Sequence, residues 1–290
     1  MTATMFLGFP KLGKKFTLSG GAWRAAYPLT NALSPTYARV ARSVNAAHSS
    51  TRIIATSPDR LPVQLIGIFA HNMDLDAAFQ VTCYDATGGT DVLLWQSDVE
   101  QVWDSVYDTS TRPFETQNWW TGQYTEEERL GQIPSRPFVL PENISPSKIV
   151  IEFFNADNVD GYIDIGLLEI AGAIALGFGE RPEHGATWGY ESKSSVVESE
   201  GGLIRSEVFA ASYVFSGNVP LMGNLKARQS MSELFRQYGE HTPFMWVPFA
   251  NDPMTFLRES KMVTNQPNPL LSFVSHKHMG VPLHLREWKG

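Results

Sequence analysis

Residues 148–170, KIVIEFFNADNVDGYIDIGLLEI, decide how this chain is read. Apolar side chains alternate through Ile149, Ile151 and Phe153, and again through Ile163, Ile165 and Leu167. Period-two alternation turns one face of a β-strand toward a core and the other toward water. Between the two runs, Asn155, Asp157, Asn158, Asp160 and Gly161 supply the side-chain-to-backbone hydrogen bonds and positive-φ tolerance of a turn. The stretch predicts a long hairpin that closes a β-sandwich, with more than a hundred residues still to follow.

Working outward, the same grammar recurs. Strands are expected at 5–18 (two, around a Gly-Lys-Lys turn), 53–56, 63–70, 78–84 and 92–96. VQLIGIFA, at 63–70, is almost continuously apolar and should be a central strand buried on both faces. Trp23, Tyr27, Leu29 and Leu33 read as core contacts. Residues 98–136 form a long aromatic connection carrying Trp103, Tyr107, Phe114, Trp119, Trp120 and Tyr124. A connection of that length is usually functional or covers a surface. Within it, Thr125-Glu-Glu-Glu128 has the form of a capping box and predicts a short helix.

A domain boundary falls in 171–190, after one last strand at 173–178. Beyond it, 192–215 reads as two strands around Gly201-Gly202. Residues 220–238 read as a helix with Met222, Leu225, Met231, Leu234, Phe235 and Tyr238 largely on one face, Pro220 in its first turn and Gly239 as its stop. Strands at 244–249, 254–263, 270–275 and 281–287 complete a meander. The expected fold class is mostly β: an arm at 1–15, a jelly-roll sandwich at 16–175, and a β-rich domain at 176–290 crossed by one α-helix.

Composition sets bounds on function. The 290 residues are 43% hydrophobic and 12% aromatic, enough for packed cores. A net charge of -7 disfavours a nucleic-acid partner, because phosphate binding needs a basic face, although an acidic protein can carry a local basic patch. The single cysteine, Cys83, lies in an apolar run and reads as a small core hydrophobe. No disulfide framework is possible, and no secretory signal or bilayer-length apolar run is visible, so folding in a reducing cytoplasm is expected.

Two resemblances follow from these stretches. GAW at 21–23, LIGIFAHNMDL at 65–75, FQVTCYD at 79–85 and the 148–170 stretch resemble the galactose-binding-like, discoidin-type jelly roll across roughly 16–172. The whole chain is similar to structural proteins of tailed-bacteriophage tail tips, of distal-tail or minor-tail type. SGGAWRAAYPLTNAL at 19–33, AHNMDLDAAFQVTCYD at 70–85, NWWTGQYTEEERLG at 118–131 and GEHTPFMWVPFANDP at 239–253 carry that similarity. It departs in domain order, since distal-tail proteins put the ring-forming domain first; the strand at 5–12 would then reach across to the C-terminal domain. The resemblance implies a non-enzymatic virion component assembled in the host cytoplasm as a trimer or hexamer. Its partners would be copies of itself and the tube, hub and tape-measure proteins, with no nucleic acid and no membrane insertion. The alternative is a carbohydrate-binding module that recognises cell-surface glycans.

Several constellations compete with blander readings. Trp103, Tyr107, Trp119, Trp120, Tyr124, Phe244 and Trp246 are candidates for interface or glycan contact, set against a role as core plugs. His71, Asn72, Asp74 and Asp76, and separately Asn155, Asp157, Asn158 and Asp160, offer oxygen ligands for calcium. Six to eight oxygens are needed, so turn capping competes. His276, His278 and His284 suggest a transition-metal site but lack a fourth ligand, and a hairpin tip competes. Asp98, Glu100, Asp104 and Asp108, with Trp95, Trp103, Trp119 and Trp120, suggest a glycosidase cleft, set against a solvated edge or subunit interface. Gly177-Phe178-Gly179 lacks the third glycine of a dinucleotide fingerprint. No cofactor is expected.

Overall fold

The computed structural model describes residues 5–111, 118–129, 131–141, 144–176, 185–192, 195–198, 204–207, 211–222, 225–267, 272–273 and 278–290. Its strands, in chain order, begin with β1 (Met5–Lys11), β2 (Thr17–Ser19), β3 (Ala41–Arg42), β4 (Ile53–Thr56), β5 (Leu65–His71) and β6 (Ala78–Asp85). There follow β7 (Val92–Gln96), β8 (Glu100–Gln101), β9 (Ser135–Val139), β10 (Lys148–Phe154), β11 (Asp164–Leu176), β12 (Thr187–Glu191) and β13 (Ser195–Glu198). The last are β14 (Ile204–Glu207), β15 (Ser212–Met222), β16 (Phe244–Val247), β17 (Lys261–Asn265), β18 (Ser272–Phe273) and β19 (His278–Glu287). Among the described residues, four α-helices join them: α1 (His48–Thr51), α2 (Glu126–Arg129), α3 (Leu225–Tyr238) and α4 (Pro253–Glu259).

The chain divides into two compact units. One holds Thr4–Ala175, Phe244–Lys261 and Lys289–Gly290; the other holds Leu176–Pro243 and Met262–Trp288. The segment 244–261, which sequence alone assigns to the C-terminal half, thus clusters with the first unit.

The first unit is a jelly-roll sandwich. One sheet runs β16-β1-β11-β5-β9 with β3 beside β11, and the other runs β2-β4-β10-β6-β7 with β8 beside β6. The strands of 148–170 do not form the expected hairpin. β10 lies between β4 and β6 (Ile149↔Ala55, Ile149↔Cys83), whereas β11 pairs with β3 and β5 (Asp164↔Arg42, Leu168↔Ile68). Residues 155–163 are therefore an arch that carries the chain from one sheet to the other. Alternation shows that each strand buries a face; it does not show whether the next strand lies alongside or across the core. At about 3.3 Å per residue, the arch easily spans the roughly 10 Å between stacked sheets.

Both sheets feed one core. Ile149, Ile151 and Phe153 meet Ile163, Ile165, Leu168 and Ile170, together with Ile53, Phe79, Val81 and Phe138. The phase of β11 changes at Gly166, so Leu168 takes the core place expected of Leu167. Ala70 opposite holds φ 54, and a Cβ on Gly166 would lie 2.7 Å from the Ala70 Cβ, a contact only glycine avoids. β5 is buried on both faces, as its unbroken apolar run predicts: Ile66 and Ile68 enter the core, and Leu65 and Phe69 are buried too. On its other face Met245 approaches so closely that a Cβ on Gly67 would come within 2.8 Å of its Sδ. The register of β1 against β16 is Phe6↔Val247 and Leu7↔Trp246.

The second unit carries a sheet ordered β12-β15-β19-β17, with β18 beside β19. Val281, Leu283 and Leu285 are buried in the alternation expected for 281–287. α3 buries Ala227, Met231, Leu234 and Phe235, one stripe of a 3.6-residue period. It begins at Leu225 and not at Pro220, because Pro220 continues β15 and stands opposite Gly280. Gly239, at φ 55, ends the helix as predicted, its N–H reaching the Phe235 carbonyl at 3.1 Å. The expected strand at 254–263 is instead α4 followed by β17. Asp252 caps α4 by accepting from the Met254 N–H at 3.1 Å, with Pro253 in the first turn, so cap chemistry outweighs the apolar content of MTFL. The expected turn at Gly201-Gly202 and the fingerprint test at Gly177–Gly179 lie outside the described residues.

Candidate functional site

The two calcium candidates of the sequence are one cluster in space. β5 ends and β6 begins at the same end of the sandwich as the arch between β10 and β11. There Asn72 Nδ2 donates to Asp160 Oδ2 at 2.8 Å and to the Tyr162 carbonyl at 3.1 Å, and its Oδ1 accepts from the Asp164 N–H at 2.7 Å. Asn155 Nδ2 donates to Asp74 Oδ2 at 3.1 Å, and Asn158 Nδ2 donates to Asn155 Oδ1 at 2.8 Å. The Asp160 N–H closes the turn onto Asn158 Oδ1 at 2.9 Å. Amide donors thus occupy one carboxylate oxygen each of Asp74 and Asp160, and Asp76 and Asp157 stand exposed outside the network. The turn-capping alternative describes this cluster, and its mechanical effect is to fix Tyr162 and Asp164 in place.

The long aromatic connection sends two of its rings into the core, and its Phe114 lies outside the described residues. Trp103 is 3% exposed and Tyr124 5%, so neither offers the surface that an interface or glycan contact requires. Trp103 Nε1 donates to the Met73 carbonyl at 2.9 Å, its ring meets Tyr124 edge-on at 6.3 Å, and the Arg129 guanidinium lies over it at 4.6 Å. Phe244 and Trp246 are fully buried in β16 and likewise offer no contact surface. Tyr107 is half-buried and donates through its hydroxyl to Glu128 Oε1 at 3.0 Å. α2 opens with the predicted reciprocal cap: the Thr125 N–H donates to Glu128 Oε2 at 2.9 Å and the Glu128 N–H to Thr125 Oγ1 at 3.2 Å.

Trp120 is the exception, 79% exposed beside half-buried Trp119, with ring centroids 4.1 Å apart. Its turn is rigidly built. The Gly122 N–H donates to the Asn118 carbonyl at 2.8 Å, and Asn118 Nδ2 donates to the Gln123 carbonyl at 2.9 Å. Gly122 holds φ 64, where a Cβ would sit 2.3 Å from Ser105 Oγ.

A second cluster was invisible in sequence. The Arg42 guanidinium forms a fork-to-fork pair with Asp164 (Nε to Oδ1 2.8 Å, Nη2 to Oδ2 2.7 Å). It lies 4.1 Å over the Tyr162 ring and 5.0 Å from the Tyr27 ring, and Arg24 stands 5.2 Å over Tyr162. The hydrogen bonds of Asp164 raise the Arg42 pKa above its ordinary value, so it stays charged. Tyr27, expected in the core, is 40% exposed. No single-residue pattern marks this group; only the pairing of Arg42 with Asp164 across β3 and β11 assembles it.

The acidic candidates have structural partners. Glu100 and Asp104 both face buried Arg136, at 2.5 and 4.0 Å. Asp108 accepts from the Ser110 N–H and hydroxyl, which lower its pKa, while Asp98 is exposed and Trp95 packs on the core. Cys83 is buried, which pushes its thiol up to about 12 and leaves it unreactive. His71 is buried against Trp103, its Nδ1 accepting from the Met73 N–H at 3.3 Å; burial, helped by Arg129, lowers its pKa to about 3. His284 Nδ1 pairs with Ser216 Oγ at 3.0 Å, His276 lies outside the described residues, and no group of three metal-ligating side chains converges among those described.

No protein-family profile and no curated protein sequence matches the chain. Among solved structures, it is similar to a family 32 carbohydrate-binding module from a family 31 glycoside hydrolase of Clostridium perfringens. The TM-score is 0.35 at 9% identity, over 55% of this chain and 95% of that one. The family 32 module of C. perfringens NanJ, solved with galactose, gives 0.35 at 11% identity, over 57% and 98%. A family 89 glycoside hydrolase of the same organism gives 0.36 at 10%, and this chain spans only 15% of its length. Likeness at this level leaves function to be argued from the residues.

Proposed function

We propose that the sandwich unit is a non-catalytic module whose loop end binds carbohydrate. The observation that carries this reading is Trp120, an indole 79% exposed on a turn fixed by three hydrogen-bonding and steric constraints. Exposing so large an apolar ring forgoes burial worth about 1.5–3 kcal/mol, and a rigid indole face is suited to stacking on the C–H face of a pyranose. Glu100, Asp104 and Asp108 are engaged with Arg136 and Ser110, which suits binding better than glycoside hydrolysis. A neutral-glycan array tests this. Trp120→Ala should weaken retained glycans tenfold or more with unchanged melting. Absence of any binding at millimolar sugar would sink the reading.

A tail-tip role in a bacteriophage virion is the second reading, favoured by one observation in the other unit. β12 is an edge strand among the described strands, and it holds Trp188 and Tyr190 each 56% exposed. Such an edge suits pairing between copies in a closed ring. Light scattering separates the cases: a discrete trimer or hexamer supports it, and a monomer at high concentration counts against it.

A further inference from the structure

We propose that the Arg24–Tyr27–Arg42–Tyr162 cluster is a binding site for a carboxylate-bearing sugar, a uronic or sialic acid; this rests on the carbohydrate-binding reading above. The cluster is built in layers. At its base, Asp164 neutralises Arg42, and Asn72 bonds both the Asp164 N–H and the Tyr162 carbonyl. Above that base the Arg42 guanidinium stacks with both tyrosine rings. The turn that carries Arg24 is fixed to the same strand on both sides: the Arg24 N–H donates to the Arg42 carbonyl at 2.9 Å, and the Arg42 N–H donates to the Tyr27 carbonyl at 3.0 Å. The backbone is therefore ordered before any ligand arrives, which lowers the entropic cost of binding.

What the layers leave open defines the ligand. Arg24 is exposed, and its guanidinium has no carboxylate or hydrogen-bond partner among the described residues. A guanidinium presents parallel N–H donors that match a carboxylate. Exposed Tyr27 and half-buried Tyr162, whose rings already carry the guanidinium contacts, add hydroxyls for which no protein hydrogen-bond partner occurs among the described residues. A charged fork beside two phenol hydroxyls fits a pyranose that carries a carboxylate and ring hydroxyls better than a neutral sugar or a bare anion.

The test titrates the full chain, by ligand-observed NMR, with glucuronate, galacturonate and N-acetylneuraminate, and with glucose, galactose and acetate as controls. At least one acid should bind about tenfold or more tightly than both its neutral counterpart and acetate, and the preference should fade at high salt. Arg24→Ala should erase the preference, while Trp120→Ala should leave it. Equal binding of acids and neutral sugars, equal binding of acetate, or a preference that survives Arg24→Ala would overturn the assignment. Neutral-glycan binding through Trp120 without any acid preference would sink this inference alone; loss of all sugar binding would sink the module reading with it.

Discussion

Two stretches of the sandwich unit carry similar aromatic content and met opposite fates. Residues 98–136 look like a surface, yet among the described residues Trp103 and Tyr124 are buried in the core. Residues 23–42 look like core contacts, yet they place Tyr27 and Arg24 in solvent. The difference lies in polar satisfaction. Trp103 can be buried because the Met73 carbonyl accepts its N–H, and its ring is covered by Tyr124 and Arg129. Arg42 stops short of full burial beside Asp164, and it holds the rings stacked on it near the surface with it.

The sharpest way to break this contrast is to truncate one tryptophan from each environment. Trp103→Ala should cost about 3–5 kcal/mol, because it leaves a cavity and strands the Met73 carbonyl. Trp120→Ala should change stability by less than about 0.5 kcal/mol. Urea unfolding reads both, and equal losses would erase the distinction. His71 offers the next largest effect. Its folded pKa of about 3 lies below the unfolded 6.5, so the unfolded chain binds the extra proton as pH falls. Its contribution is complete above about pH 6.5 and is lost progressively toward pH 3. At pH 4.5 the loss should reach about 2–3 kcal/mol, at 1.4 kcal/mol per unit. His71→Asn should flatten that part of the acid limb, and an unchanged limb would show that burial of His71 does not set it. Asp164→Asn follows, expected to cost about 1–2 kcal/mol by weakening the hold on Arg42. It should also loosen the packing of Tyr27 and Tyr162 on Arg42, which chemical shifts at Tyr27 would report.

Legibility in sequence followed the range of the interaction. Local chemistry was readable: the alternation of β10 and β11, the Thr125–Glu128 capping box, and Gly239 as the stop of α3 each depend on residues a few positions apart. Partner choice was not. Ile149 and Ile165 show the same alternation whether their strands pair side by side or face each other across a core. The Asx residues at 72–76 and 155–160 looked like two turns, and the structure bonds them into one. Arg42 and Asp164 stand 122 positions apart, so nothing short-range announces their pair. Pro220 misled because a proline that suits a helix start also suits a strand whose partner needs no N–H there.

The most direct measurement of the central claim, that the loop end of the sandwich is a ligand surface with its charged part at Arg24, is a backbone amide NMR titration of the full chain with an acidic monosaccharide. The amides of residues 23–27, 42 and 162–164 should shift first and saturably, with smaller changes at 118–123. Shifts confined to other regions, or none at millimolar sugar, would contradict it.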